Sequence, residues 1–426
     1  MTSRERVLAA IAHQDTDKIP VDLSATPSSG ISAIAYSNLL KEIGKNNLPV
    51  RIYDVVQQLA QPDDSVLDMF EVDVIDIGRI YNRTDDKWKP TVMSNGGAAY
   101  YPDWFHPVRQ EDGSWLTFDD DGKRVLAKMP AGAPFFDQVY FPYENGYPGS
   151  YKDFDKERER VMWARYPLSP WDYSGEPDFY KQLRKDILNL RQHTDKALLL
   201  GIGCNLFEWG AFMRRMDNFL MDLLCDQENV AALLDQFMER HMATLEKVCA
   251  SVGDIVDIIK FGDDLGMITG PFMDTGTYQK LFKPRHKMLC DYVKANSSMH
   301  TYLHSCGSIS SLMPDLIEAG IEIFNPVQTN AYGMDPVFLK KEFGKDCTFW
   351  GGGIENVGIL NNGSKQQIRD QVFERMEIFS EGGGYVFNTI HNILPDVPAE
   401  NIIAMFEAVN DFNKLHLEKN KSKKQS

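Results

Sequence analysis

The hexapeptide Tyr302-Leu303-His304-Ser305-Cys306-Gly307 carries the densest chemistry in this sequence. β-favouring residues run from Thr301 to Leu303, and a His-Ser-Cys-Gly turn follows at once. In an extended strand, residues two apart face the same side. If the extension persists through Ser305, the His304 imidazole and the Cys306 thiolate aim at one point. They then offer a nitrogen and a sulfur ligand to a borderline-soft ion such as zinc. A strand end that happens to bear a histidine and a small buried cysteine would read the same way. What sets this pair apart is its place, where a strand gives way to a glycine-bearing turn, as chemistry-bearing residues do in α/β enzymes.

The elements that must position the pair are legible as an alternation. Short apolar runs at 19–23, 72–77, 197–203, 255–261, 300–304, 321–324, 348–351 and 385–388 read as eight strands. Amphipathic stretches lie between them: 4–12, 34–43, 55–70, 178–191, a long helical region 212–250, 277–295, 308–319, 336–343, 365–380 and 398–415. Ala319-Gly320 and Glu381-Gly382 are glycine stops before strands, and Ser364 is a plausible N-cap. Strand–helix alternation implies parallel strands with right-handed crossovers. Eight such units close into a (β/α)8 barrel whose active site lies at the C-terminal strand ends. An open doubly wound sheet is the competing arrangement.

Polar residues gather at those ends. The first strand leads to Asp22 and Ser24, the third to Cys204 and Glu208, and the fourth to the adjacent carboxylates Asp263 and Asp264. The fifth bears His304 and Cys306, and the sixth runs into Asn325-Pro326-Val327-Gln328. The seventh leads to Gly351-Gly352-Gly353-Ile354-Glu355, and the eighth to Asn388 and His391. Asp22, Cys204, Glu208, Gln328 and Asn388 are candidate substrate contacts, and Asp263, Asp264 and Glu355 candidate catalytic carboxylates. Asp263 and Asp264 could equally cap the helix to follow, and neighbours on a strand face opposite sides. One of them could instead orient a metal-bound histidine. His391 alone would pass for an ordinary satisfied histidine. Beside His304 and Cys306 it completes three protein ligands, which with an open fourth position is the pattern of catalytic zinc. The glycine triplet lacks dinucleotide-fingerprint spacing, so it marks a tight turn or the close approach of a ligand.

From about 80 to 170 the rhythm breaks. Turn signals at Asn95-Gly96-Gly97, Glu111-Asp112-Gly113 and Asp120-Asp121-Gly122 separate short alternating runs, which predicts an antiparallel β excursion inserted after the second strand. Its aromatic content suits either a lid over the barrel mouth or a satellite core. The whole chain reads as a single barrel domain bearing this insertion. A formal charge of -16 argues against non-specific nucleic-acid binding. No apolar run reaches membrane-span length, and no signal-peptide core follows the N-terminus. Six scattered cysteines lack disulfide spacing, so a reduced cytoplasmic setting is expected. The Lys-rich stretch 414–426 reads as a solvated, frayed end.

Several segments together resemble the uroporphyrinogen decarboxylase superfamily, and within it the branch of cobamide-dependent methyltransferases. They are the opening stretch 2–11, Lys260 to Tyr278, Leu303 to Gly307, Ala319 to Gln328, Phe349 to Gly353, Gly382 to Phe387 and Pro395 to Asn401. The resemblance is specific from Lys260 onward and weak across 80–170, and it too implies a (β/α)8 barrel. Two departures matter. The decarboxylases hold substrate carboxylates with an Arg-Gln-Ala-Gly-Arg motif, whereas the matching stretch 21–30 here contains no arginine. A polyanionic porphyrinogen without those cations is implausible. The zinc methyltransferases follow His-x-Cys with a second cysteine, and His391 stands at that position. One thiolate fewer makes the ion a Lewis acid rather than a thiol activator.

The resemblance therefore implies a zinc-dependent methyltransferase of anaerobic one-carbon metabolism. It would take a methyl group from a small methylated donor, foremost an O-methylated aromatic, to the Co(I) of a separate corrinoid protein. No Asp-x-His-x-x-Gly corrinoid-binding motif is present in the chain, so the corrinoid arrives on a partner. Methyl transfer from methylcobamide to a thiol or folate, a decarboxylase-like lyase, and a metal-free binding protein are the alternatives.

Overall fold

The computed structural model describes residues 1–425, with side chains described through residue 418. Seven strands run side by side in chain order: Val74–Asp76, Ala197–Gly203, Ile258–Gly262, His300–His304, Ile323–Asn325, Thr348–Trp350 and Tyr385–Val386. Every neighbouring pair is parallel. Helices including Gln227–Val252, Lys283–Asn296, Met313–Ala319, Pro336–Phe343 and Lys365–Ser380 make the crossovers.

The expected first strand, 19–23, is too irregular to count as a strand, yet it does a strand's job. On one side Phe387 N–H donates to the Pro20 carbonyl (2.8 Å) and Asp22 N–H to the Phe387 carbonyl (2.9 Å). On the other, Asp73 N–H donates to the Val21 carbonyl (2.8 Å). The segment thus joins the two edges of the curled sheet and closes a (β/α)8 barrel. The carboxylate of fully buried Asp73 fixes this join, accepting from Val21 N–H (3.0 Å), Ser3 (2.7 Å) and Arg6 (2.5 Å).

Alternation along the strands decides what fills the barrel. Val74, Leu199, Ile258, Tyr302, Ile323, Trp350 and Val386 form one buried cluster, together with Val7 and Ile11 of the N-terminal helix Ser3–Ile11. That helix starts at a capping box between Thr2 and Glu5 and plugs the barrel floor. The C-terminal end, two residues further along each strand, is where polar side chains collect.

The insertion forms as the turn signals predict. Hairpins join Trp88–Val92 to Ala98–Pro102, Val108–Arg109 to Trp115–Phe118, and the latter to Val125–Met129, each across one of the three glycine turns. Two short helices, Phe154–Arg158 and Met162–Arg165, follow.

Other elements differ from expectation. In place of a helix over 55–70 the chain makes Ile52–Asp54 and Leu59–Ala60, strands of a small antiparallel sheet, and a helix only at Asp64–Met69. Pro62 cannot donate into a helix, and Gln58 adopts φ +55°. The region 212–250 is divided among helices Phe207–Arg214, Met216–Cys225 and Gln227–Val252, interrupted where Arg215 takes φ +69°. The region 277–295 splits at Phe282, with Pro284 in the first turn of the second helix, and the helix preceding Gly320 begins at Met313. The Ser364 cap and the Gly320 left-handed stop form as expected. The final helix, Ala399–Gln425, carries the stretch read as frayed, though its side chains beyond 418 and residue 426 lie outside the described residues. Among the described residues no helix is long and apolar enough to cross a membrane.

Candidate metal centre

His304 closes its strand facing into the barrel, Cys306 follows in the turn, and His391 reaches in from the loop after the last strand. One ligand atom from each lies within 4.8 Å of the others. Cys306 Sγ and His304 Nε2 are 3.5 Å apart, which matches the roughly 3.5 Å edge expected between nitrogen and sulfur ligands of a tetrahedral zinc. The His304 and His391 rings stand 5.6 Å apart, tilted by 58°. The donor set and spacing therefore fit a zinc ion with one position open.

The surroundings prepare these atoms for a metal. Asn325 donates through Nδ2 to the Trp350 carbonyl (2.8 Å), so its Oδ1 is an acceptor, for Ser28 (3.0 Å) and for His304 Nδ1 (2.7 Å). His304 must then carry its proton on Nδ1, leaving the Nε2 lone pair toward the site. Burial holds the His304 pKa down to about 4 and lowers that of His391, so both rings stay neutral, as metal ligation requires. Burial, reinforced by Asp264 and Glu208, pushes the Cys306 thiol up. His391 sits at φ +69°, a left-handed conformation costly for a residue with a side chain. Asn356 Nδ2 holds it there by donating to the His391 carbonyl (3.0 Å).

Since Asn325 fixes the tautomer, Asn325→Leu is expected to weaken metal affinity by about 10- to 100-fold. Chelator competition measures this, and an unchanged affinity would count against the tautomer argument.

The two adjacent aspartates take different tasks. Asp264 Oδ1 accepts the Cys306 N–H (2.8 Å) and lies 3.5 Å from His304 Nε2. Asp263 is fully buried and turned away. Its oxygens accept the N–H groups of Phe207 and Glu208 (3.0 Å each), and His286 Nε2 lies 3.4 Å off. It therefore caps the helix Phe207–Arg214, not the helix that follows it in the chain, and sets Glu208 at that helix's start. Glu208 Oε2 accepts from Asp264 N–H (3.1 Å) and from the Asn205 amide. Burial, with the nearby Asp264 and Asp263 charges, pushes its pKa up to about 8.

The remaining candidates divide. Gln328 Oε1 accepts the Gly307 N–H (2.8 Å), bracing the metal-site turn. Asp22 is buried against Trp350 Nε1 (2.8 Å) and raised by burial to about 6. Asn388 packs between Asp22 and Thr389. Cys204 is buried at φ +58°, with its thiol pushed up by burial. Glu355 faces away, 3.6 Å from Arg375. The glycine triplet answers to the chain's own backbone, because a Cβ on Gly351 would strike the Pro326 carbonyl.

Two residues at the mouth escaped the strand-end reading. Lys260 rises inside the barrel from mid-strand, and Asp76 ends the strand Val74–Asp76. Burial raises Asp76 from 3.8 to about 7, despite a hydrogen bond from Gly78 N–H. The unfolded chain therefore releases this proton near pH 4 while the folded chain keeps it to about pH 7. Stability falls as pH rises through that window. Asp76→Asn keeps the acceptor and removes the titration. It is expected to gain stability relative to wild type between pH 4 and 7, and urea midpoints at pH 4 and 8 measure this.

The family model for uroporphyrinogen decarboxylase matches residues 192–412, just over half of the 426-residue chain. The uroporphyrinogen decarboxylase of Rickettsia canadensis (strain McKiel) is 33% identical over 81 residues, 19% of this chain and 23% of that protein. The chain thus aligns with under a quarter of the length of this curated relative. A solved methyltransferase from Methanosarcina mazei has the same fold. Its TM-score is 0.57 at 17% identity, covering 97% of this chain and 99% of that one.

Proposed function

This chain belongs to the uroporphyrinogen decarboxylase family, and on that premise we propose that it is a methyltransferase. It moves a methyl group from a small methylated donor, foremost an O-methylated aromatic, to the Co(I) of a separate corrinoid protein. The observation that carries this reading is the convergence of His304, Cys306 and His391 at the open end of the barrel. The Methanosarcina mazei neighbour, a methyltransferase, points the same way. The absence of arginine from 21–30 argues against a porphyrinogen polycarboxylate. The free cysteines support a cytoplasmic setting.

His304, Cys306 and His391 hold a zinc ion, which when bound supplies Lewis acidity toward the oxygen that leaves. Asn325 fixes the His304 tautomer and Asp264 the Cys306 turn. Glu208 keeps a proton at neutral pH. Its Oε2 already accepts two donors, so the proton sits on Oε1. From there it can pass to the departing oxygen as the methyl group leaves. Gln328 braces the turn that bears Cys306, buried Asp22 and Asn388 support the barrel wall, and the insertion would serve as a lid or as a satellite core.

The test is anaerobic. The chain is mixed with a Co(I) corrinoid protein and a methoxylated aromatic, and the spectrum is followed. Conversion to methyl-Co(III) that depends on this chain is expected. Decarboxylation of uroporphyrinogen, or methyl transfer only toward thiols, would overturn the proposal.

A further inference from the structure

Most charged groups in the barrel mouth have a contact partner, and Lys260 does not. Its ammonium has no hydrogen bond or ion pair among the described residues, and it senses Glu208, Asp264, Cys306 and Asp76 only through space. It stands on the strand Ile258–Gly262 with its inward neighbour Ile258 fully buried below. Unlike Ile258, Lys260 remains partly accessible from the open end. Burial lowers the Lys260 pKa, because a charge kept inside a protein without a contact partner is costly, so holding the ammonium here asks for a counter-charge.

There is room beside it. Gly201 pairs with Lys260 across the sheet, and a Cβ built on Gly201 would meet nothing within 4 Å. Tyr53, on the strand Ile52–Asp54, brings a buried hydroxyl that has no hydrogen-bond partner among the described residues. That hydroxyl lies in electrostatic range of Asp54 and Asp76, the same two carboxylates that feel Lys260. Asp54, which could serve Lys260, is occupied by Gln57 N–H (2.8 Å), Gln57 Nε2 (2.8 Å) and Val56 N–H (3.0 Å). Asp264 is engaged with Cys306 N–H.

We propose that Lys260, with Tyr53 as second donor, binds an anionic oxygen of the substrate, so the donor is a charged molecule such as a methoxylated benzoate. This rests on the methyl-transfer reading for the methoxy half of the molecule, and on Lys260 and Tyr53 for the charged half. A carboxylate against Lys260 gains a charge-assisted hydrogen bond in a dry surrounding. It also orients the ring, so that the methoxy oxygen points to the wall bearing His304, Cys306 and His391.

Calorimetry with 4-methoxybenzoate and its neutral amide tests the proposal with no corrinoid protein present. Wild type is expected to bind the benzoate at least tenfold more tightly than the amide. Lys260→Met should weaken the benzoate at least 30-fold while moving the amide less than threefold, and Lys260→Arg should keep most of the preference. The wild-type comparison stands even if a variant fails to fold. No preference in wild type, or an equal loss for both ligands in Lys260→Met, overturns the proposal. A chain that binds the benzoate through Lys260 yet transfers no methyl group refutes the methyl-transfer reading alone. A chain that demethylates charged and neutral donors equally well refutes the anion subsite alone.

Discussion

Cys306→Ala is expected to empty the metal centre. Protein purified anaerobically should carry about one zinc per chain, and this variant close to none. The variant loses the sole thiolate of a three-ligand set, and two imidazoles alone hold zinc poorly. The effect should stay local, because the Cys306 backbone N–H that Asp264 accepts survives the substitution. Metal analysis beside a thermal melt separates loss of the ion from loss of the fold. Full occupancy in Cys306→Ala would mean that the ion sits elsewhere.

His391→Ala is expected to cost roughly a hundredfold or more in rate, if the ion acts on a leaving oxygen. The residue brings a neutral nitrogen to the centre from a left-handed backbone that Asn356 holds in place. Alanine keeps the backbone hydrogen bond and removes only the ligand. His391→Cys restores a third ligand but adds a thiolate, making the ion more electron-rich. It should therefore retain zinc while demethylating ethers more slowly than wild type. Wild-type demethylation by His391→Ala would exclude the histidine from the mechanism. The two variants are read together by single-turnover formation of methyl-Co(III) and by metal content.

The sequence disclosed those elements whose burial follows a local period. The strand His300–His304 and the helices Pro336–Phe343 and Lys365–Ser380 occur where pattern and caps place them. The three hairpin turns of the insertion were equally visible, since glycine at a positive φ is a local requirement. The helix expected over 55–70 failed because its apolar residues are buried by a small sheet whose partner strand begins at Ile31. A periodicity window does not see such a partner. At the site, His304, Cys306 and His391 come together as strand-end reasoning expected. Glu355 shows where that reasoning stops, because a charged residue just past a strand end can turn outward to an arginine such as Arg375. Asn325 stood in plain view at a strand end, yet its link to His304 depends on parallel register between two strands 21 residues apart. Lys260 was passed over because inward-facing polarity in mid-strand shows only once the barrel's interior is defined.

The way the ring is closed has a consequence for how the chain is made. Asp22 and Asn388, 366 residues apart, meet at the seam. On a ribosome adding roughly 5–20 residues per second, the first stave waits on the order of 20–70 s for its last partner. During that time the Val74 edge of the growing sheet can begin to pair with the first segment, but the other edge has nothing to meet. An open parallel edge is a template for other chains. Expression at lower temperature or with holdase chaperones should therefore raise the yield of folded protein. A chain stopped before Tyr385 should aggregate even though it already contains His304, Cys306 and the strands beside them.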